Sequence, residues 1–124
     1  MSENPYQAAA DRYLAAWNAD EESRSAAVAA AWSEHGGYTD PLAEVTGHAA
    51  IAEVIAGARA QFPGFTFRPN GPVDGHHDTA RFGWELVSAA DGSAPVAGFD
   101  VVTLAPDGRI ATVRGFLDRV PASA

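Results

Sequence analysis

Two carboxylates and a phenol stand out in this chain as groups that could move protons. Asp100 lies in the middle of Val96-Ala97-Gly98-Phe99-Asp100-Val101-Val102-Thr103-Leu104, an apolar run with the composition of a strand. A lone ionised carboxylate is costly to bury there, so Asp100 must be paired with a cation or keep its proton. A protonated carboxyl donates a hydrogen bond and can stabilise a developing oxyanion. The structural alternative is an ion pair with Arg81 or Arg114; such pairs are a common reason for a perturbed carboxyl. Asp40 precedes Pro41, which drives it out of the helical region to a strand end or a turn. Ionisation is easier there, although turn formation alone is a frequent role for Asp. Tyr13 lies on an apolar helical stripe. Its buried hydroxyl needs a partner and could reach Asp100 or a ligand oxygen; the alternative is a plain core aromatic.

Other chemistries find little support. The eight basic residues are all arginine, so a lysine base or Schiff base is excluded. With no cysteine there are no disulfides, thiolate metal sites or cysteine nucleophiles. His76-His77-Asp78 has metal-ligand residue types, but neighbours point apart in a strand and no third ligand is suitably spaced. A solvated hairpin turn is expected there, with no metal. His35 and His48 read as a surface-loop and a helix-start residue. Neither a glycine-rich phosphate loop nor a G-x-S-x-G elbow is present. The formal charge of −8 argues against nucleic acid and anionic membrane surfaces as partners. No apolar run approaches a membrane span. Met1-Ser2-Glu3-Asn4 lacks the basic and apolar parts of a signal peptide, so a cytoplasmic location is expected.

These side chains need elements to hold them. The chain has 124 residues and 47% hydrophobic composition, which suits a single domain spanning residues 1–124 with a core of its own. Tyr6, Ala10, Tyr13, Leu14 and Trp17 recur at helical spacing, with Pro5 in the first turn. Asp20 reads as the N-cap of a second helix, with Glu21 and Glu22 suited to its dipole. That helix carries Val28, Ala31 and Trp32 and is expected to end at Gly36-Gly37. Tyr38 to Pro41 is a short extended segment. A third helix opens at Thr46 or Gly47, shows Ile51, Val54, Ile55, Ala58 and Phe62 on one face, and stops at Pro63-Gly64.

The second half reads as strands at Phe65 to Arg68, Ala80 to Ser88, Val96 to Leu104 and Arg109 to Leu117. Asp91-Gly92 and Asp107-Gly108 are hairpin signals between the last three. The residues from Pro121 to Ala124 are expected to fray. Helices followed by antiparallel strands make an α+β domain, with the helices on one face of a curved sheet and an apolar pocket between. Strand parity puts Phe82, Trp84 and Leu86 on one face, opposite Arg81, Gly83 and Glu85. Asp100, Val102 and Leu104 share a face, as do Val113, Gly115 and Leu117, with Thr112, Arg114 and Phe116 opposite. The inner face is then apolar except at Asp100, and both Arg81 and Arg114 point outward.

In this order and at these separations, several short pieces together resemble the nuclear transport factor 2-like superfamily. They are Arg12-Tyr13-Leu14, Tyr38-Thr39-Asp40-Pro41, Gly47-His48, Asp100-Val101-Val102 and Asp107-Gly108-Arg109-Ile110. Within it the chain looks most like the ketosteroid isomerases and SnoaL-like polyketide cyclases, over Tyr6 to Asp118. The resemblance implies a cone-shaped roll of three N-terminal helices on a curved, mostly antiparallel sheet. It also implies roles: Asp40 as the base that shuttles a proton beside a carbonyl, Tyr13 as donor to the carbonyl oxygen, and Asp100 as the protonated acid completing the oxyanion hole. No cofactor is implied. Trp32 and Ile55 fall where those isomerases can carry tyrosines, and Leu42-Ala43 follows Asp40-Pro41 in place of their residue–glycine step. Trp84 adds bulk to the inner face. These departures point away from a steroid and toward a smaller apolar carbonyl compound.

Three readings follow. The first is a cofactor-independent isomerase or cyclase, with Asp40, Tyr13 and Asp100 as catalytic residues. Trp17, Trp32, Ile55, Phe82, Trp84, Val102 and Leu117 would line its pocket. The second is a non-catalytic ligand-binding or interaction module, dimerising through the outer sheet face that carries Phe99, Val101 and Phe116. The third, epoxide hydrolysis, needs an inward arginine between Asp40 and Asp100.

Overall fold

The computed structural model describes residues 4–121; the expectations for Met1 to Glu3 and for fraying of Ala122 to Ala124 fall outside them. Helix α1 (Pro5–Asn18) begins where the Asn4 side chain accepts the amides of Tyr6 and Gln7, with Pro5 in the first turn. Its buried face carries Tyr13, Leu14 and Trp17.

Helix α2 (Arg24–Ala31) is shorter than the sequence suggests at both ends. Asp20 Oδ1 accepts the Ser23 amide at 2.9 Å and hydroxyl at 2.7 Å. It therefore closes a turn before the helix, and Glu21 and Glu22 lie in that turn. The helix stops at Ala31, and Trp32 starts strand β1 (Trp32–Asp40), so Gly36-Gly37 lies inside a strand. Two groups hold this exit. The Trp32 carbonyl accepts from Arg109 Nη1 at 3.3 Å and lies 2.9 Å from His48 Nε2. A Cβ on Gly36 would lie 2.8 Å from Trp32 Cδ1, so only glycine lets the indole rest against the strand. The pairing register slips between Trp32 and Gly37.

Strand β2 (Ala43–Thr46) folds back on β1, and Gly47 (φ 94°) turns the chain into helix α3 (His48–Gln61). Ile51 and Ile55 on α3 are fully buried, each worth about 1.5–3 kcal/mol. The remaining strands are β3 (Phe65–Pro69), β4 (Asp74–His76), β5 (Thr79–Ser88), β6 (Val96–Leu104) and β7 (Ile110–Arg119). The sheet order is β2-β1-β7-β6-β5-β3, with β4 also on β5. Among the described residues only the β1–β7 pair is parallel. The result is three helices packed on a mixed, mostly antiparallel sheet. The two Asp-Gly turns join β5 to β6 and β6 to β7, and the His77-Asp78 turn joins β4 to β5.

Strand parity holds along the meander. Phe82, Trp84, Leu86, Asp100, Val102 and Val113 are buried, whereas Arg81, Arg114 and Phe116 are exposed. Asp100 is the single buried charged side chain among the described residues, 1% exposed.

Candidate active site

The described residues enclose an apolar cavity of about 390 Å³ between α1, α3 and the inner sheet face, near the lower end of the ~300–1,000 Å³ usual for ligand sites. Its walls include Leu14, Trp17, Phe67, Trp84, Leu86 and Leu117. Tyr13, Tyr38 and Asp40 supply polar groups. At the mouth stand Leu42, 83% exposed, and Val120, 58% exposed, with Glu53 and Gln61 on α3. Exposed apolar side chains around a cavity suit a ligand that is itself apolar.

Asp40 ends β1 and lines the cavity. Its Oδ1 accepts the amides of Leu42 at 2.8 Å and Ala43 at 2.9 Å, which closes the β1–β2 turn. Its Oδ2 accepts the Tyr38 hydroxyl at 2.5 Å. Tyr38 is thus a site residue, which residue type and position in the sequence do not single out. The available signal was parity: positions 38 and 40 of an extended segment share one face.

Tyr13 reaches the cavity from α1. Its ring is held by Trp32 at a centroid distance of 5.4 Å and Phe82 at 5.3 Å. Burial is the main reason its hydroxyl is pushed well above the usual phenol value; the nearby Asp100 and Tyr38 add to it, and the neighbouring Trp17 indole opposes it.

Asp100 does not line the cavity. It sits behind, against Gly115 on β7, its cross-strand partner. Burial raises its carboxyl to about 7, the neighbouring Tyr13 hydroxyl and Trp84 indole oppose this, and the charges of Asp40 and Asp118 reinforce it. Its Oδ2 has no hydrogen-bond partner among the described residues. The expected arginine partners are elsewhere: Arg81 pairs with Asp74 at 3.5 Å and Arg114 is exposed. Among the described residues, no ion pair joins Asp100 to an arginine. The arginine between two carboxylates that epoxide hydrolysis requires does not occur there.

Gly115 separates the two carboxyls. A Cβ built on it would lie 2.5 Å from Asp100 Oδ1 and 3.5 Å from the Asp40 Cβ, so these two atoms are at most about 6 Å apart. Replacing Gly115 by Ala is expected to destabilise the fold by about 1–3 kcal/mol, read as a lowered denaturation midpoint, because either Asp100 or the strand must move. An unchanged midpoint would mean that the carboxyl has room to retreat.

Of the side chains expected to line the pocket, Trp17, Trp84 and Leu117 do so. Trp32, Ile55, Phe82 and Val102 do not, and all four are buried in the core. Trp32 and Phe82 instead pack on the ring of Tyr13. His76 and His77 flank their hairpin, and no group of three His, Cys, Asp or Glu gathers among the described residues. No helix among the described residues is long and apolar enough to cross a membrane.

Three helices on this sheet, with a cavity between the layers, define the nuclear transport factor 2-like class. Residues 10–113 match the SnoaL-like domain family, and the chain belongs to it. A solved structure from Agrobacterium tumefaciens, a candidate isomerase of the SnoaL-like family, is 45% identical, with a TM-score of 0.86 over 92% of this chain and 97% of that one. A candidate SnoaL-like polyketide cyclase from Jannaschia is 17% identical, with a TM-score of 0.73 over 100% and 99%. A candidate polyketide cyclase from Sinorhizobium meliloti is 19% identical, with a TM-score of 0.68 over 91% and 99%. The last two likenesses concern the fold alone. Among curated proteins, none matches the chain.

Proposed function

We propose that the chain is a cofactor-independent acid–base catalyst that moves a proton on the carbons beside the carbonyl of a small apolar compound. Asp40 takes the α-proton, the C–H electron pair forms the enolate double bond, and the carbonyl π pair moves onto oxygen. Where a neighbouring carbon–carbon double bond is conjugated with the enolate, return of the proton from Asp40 to the far carbon of that double bond shifts the double bond, rebuilds the carbonyl and completes an isomerisation. Attack of the enolate carbon on a second carbonyl would instead close a ring. Tyr13 donates to the developing oxyanion. Asp100, one layer back, acts through Tyr13: its retained proton keeps a second negative charge away from the enolate.

The observation that carries this reading is the cavity itself. It places Asp40 and Tyr13 on one apolar surface, with a proton-holding carboxyl behind them. The 45% identical relative, a candidate isomerase, agrees with it. The test is loss of α-protons from cyclohexanone and 2-decalone in deuterium oxide, followed by proton NMR. The protein is expected to accelerate exchange well above the buffer rate. Binding of both ketones at the buffer rate of exchange would overturn the assignment.

That outcome would favour the second reading, a ligand-binding module. One observation supports it: both Asp40 oxygens already serve protein groups.

We also propose that the chain pairs with a second copy through the outer sheet face, where Phe116 is 58% exposed beside Phe99 and Val101 on β6. Light scattering at micromolar concentration is expected to give about twice the 12.9 kDa chain mass, and Phe116→Glu is expected to halve it. A wild-type monomer would refute the pairing.

A further inference from the structure

We propose that Tyr38 is the positioning residue of Asp40, clamping one carboxylate oxygen so that a single acceptor site remains for the migrating proton. This rests on the reading of Asp40 as the base. An ionised carboxylate offers about four acceptor sites. The Leu42 and Ala43 amides occupy two on Oδ1, and the Tyr38 hydroxyl occupies one on Oδ2. The last site on Oδ2 is the one left to receive a proton from a ligand in the cavity that Asp40 lines.

Tyr38 is well placed to do this. It and Asp40 project from the same face of β1, two residues apart. Its strand is paired on both sides, with Val45 on β2 and Val113 on β7. Its ring packs against Trp17 at a centroid distance of 5.5 Å. Burial and the hydrogen bond to Asp40 hold its hydroxyl proton far more tightly than in an ordinary phenol. It therefore acts as a fixed donor and does not pass its proton on.

The clamp is charge-assisted, so removing it must change how firmly the Asp40 carboxylate is held. The other charged or titratable groups around Asp40 are Tyr13 on α1, Glu44 on β2, Glu53 on α3, Asp100 on β6 and Arg114 on β7. All of them are kept in Tyr38→Phe.

The experiment is proton NMR of the Tyr38 hydroxyl in the wild type, Tyr38→Phe and Asp40→Asn, with cyclohexanone exchange kinetics on the first two. A charge-assisted hydrogen bond to Asp40 is expected to give one hydroxyl resonance well downfield of an ordinary phenol, lost in Tyr38→Phe and moved upfield in Asp40→Asn. The kcat of Tyr38→Phe is expected to fall about tenfold with KM little changed, because the base is less well aimed. A wild type without the downfield resonance overturns the proposal. So does an unchanged kcat in Tyr38→Phe, which would make Tyr38 a partner of the turn only. If the phenylalanine variant fails to fold, 3-fluorotyrosine at position 38, a stronger donor of nearly the same volume, must move the resonance; an unmoved resonance there also overturns it. A wild type that exchanges no ketone defeats the base assignment, a failure distinct from that of the clamp, which the hydroxyl resonance reads.

Discussion

Asp40→Asn is expected to slow ketone α-proton exchange by about 10²–10⁴-fold while leaving the fold intact. The size follows from removing a positioned general base. The fold should survive because the Asn oxygen can still accept the Leu42 and Ala43 amides that Asp40 Oδ1 now holds. The charge-assisted contact with Tyr38 is lost, so a stability change below about 2 kcal/mol is expected. Asp40→Ala is the informative partner. It removes the base and the turn acceptor together, so it should be as inactive as the Asn variant but clearly less stable. Denaturation curves and exchange rates on the pair separate the two roles. An Asn variant with the wild-type rate would reduce Asp40 to a turn residue.

Asp100 governs the second large effect. Its carboxyl is raised from 3.8 to about 7 in the folded chain, burial being the main cause. The folded state therefore binds more protons than the unfolded chain between about pH 4 and pH 7. Stability is highest below pH 4 as far as this group is concerned, falls as the pH rises through that window, and levels off above about 7. A rise of about three units corresponds to roughly 4 kcal/mol, in order of magnitude. Asp100→Asn should abolish this slope. The variant is expected to be more stable than the wild type at pH 8, and the advantage should vanish near pH 4. Urea unfolding at the two pH values measures it. Activity should follow the same pH trend: the neutral amide carries no proton-linked switch, so the fall in wild-type turnover as Asp100 ionises near pH 7 should be missing from the variant. A stability difference between wild type and Asp100→Asn that stays the same from pH 4 to pH 8 would refute this assignment of the slope.

Much of this site can be read from residue order because two strand rules hold. The period of two put Asp100 on the inner face of β6 and sent Arg81 and Arg114 to the outer one. The Asp-Gly turns then set the meander. Depth along the inner face is a different matter, because parity gives the face and not what covers it. Phe82 lies under Tyr13 of α1, whereas Trp84, two residues on, lines the cavity. Trp84 can do so because Gly98 opposite has no Cβ to meet its ring. The same limit explains why Trp32, Ile55 and Val102 belong to the core.

Local signals also misled where tertiary contacts outweighed them. Gly36-Gly37 reads as a helix stop, yet Arg109, arriving from the start of β7, and His48 from α3 hold the Trp32 carbonyl and make the boundary at Ala31. Strands β2 and β4 have four and three residues, too few to show an alternation. Tyr38 escaped because its role needs a partner: a tyrosine before Asp-Pro acquires meaning only once β1 is known to be extended.

The functional reading turns on one buried carboxyl that holds its proton up to about pH 7, well above an ordinary carboxylate. Carbon-13 NMR of the Asp100 carboxyl between pH 3 and pH 9, assigned with the Asp100→Asn variant, tests this directly. The expected result is a single midpoint at about 7. A midpoint near 3.8, the ordinary value, would show that Asp100 is ionised beside Asp40 throughout the working range, and would contradict the proposed oxyanion site.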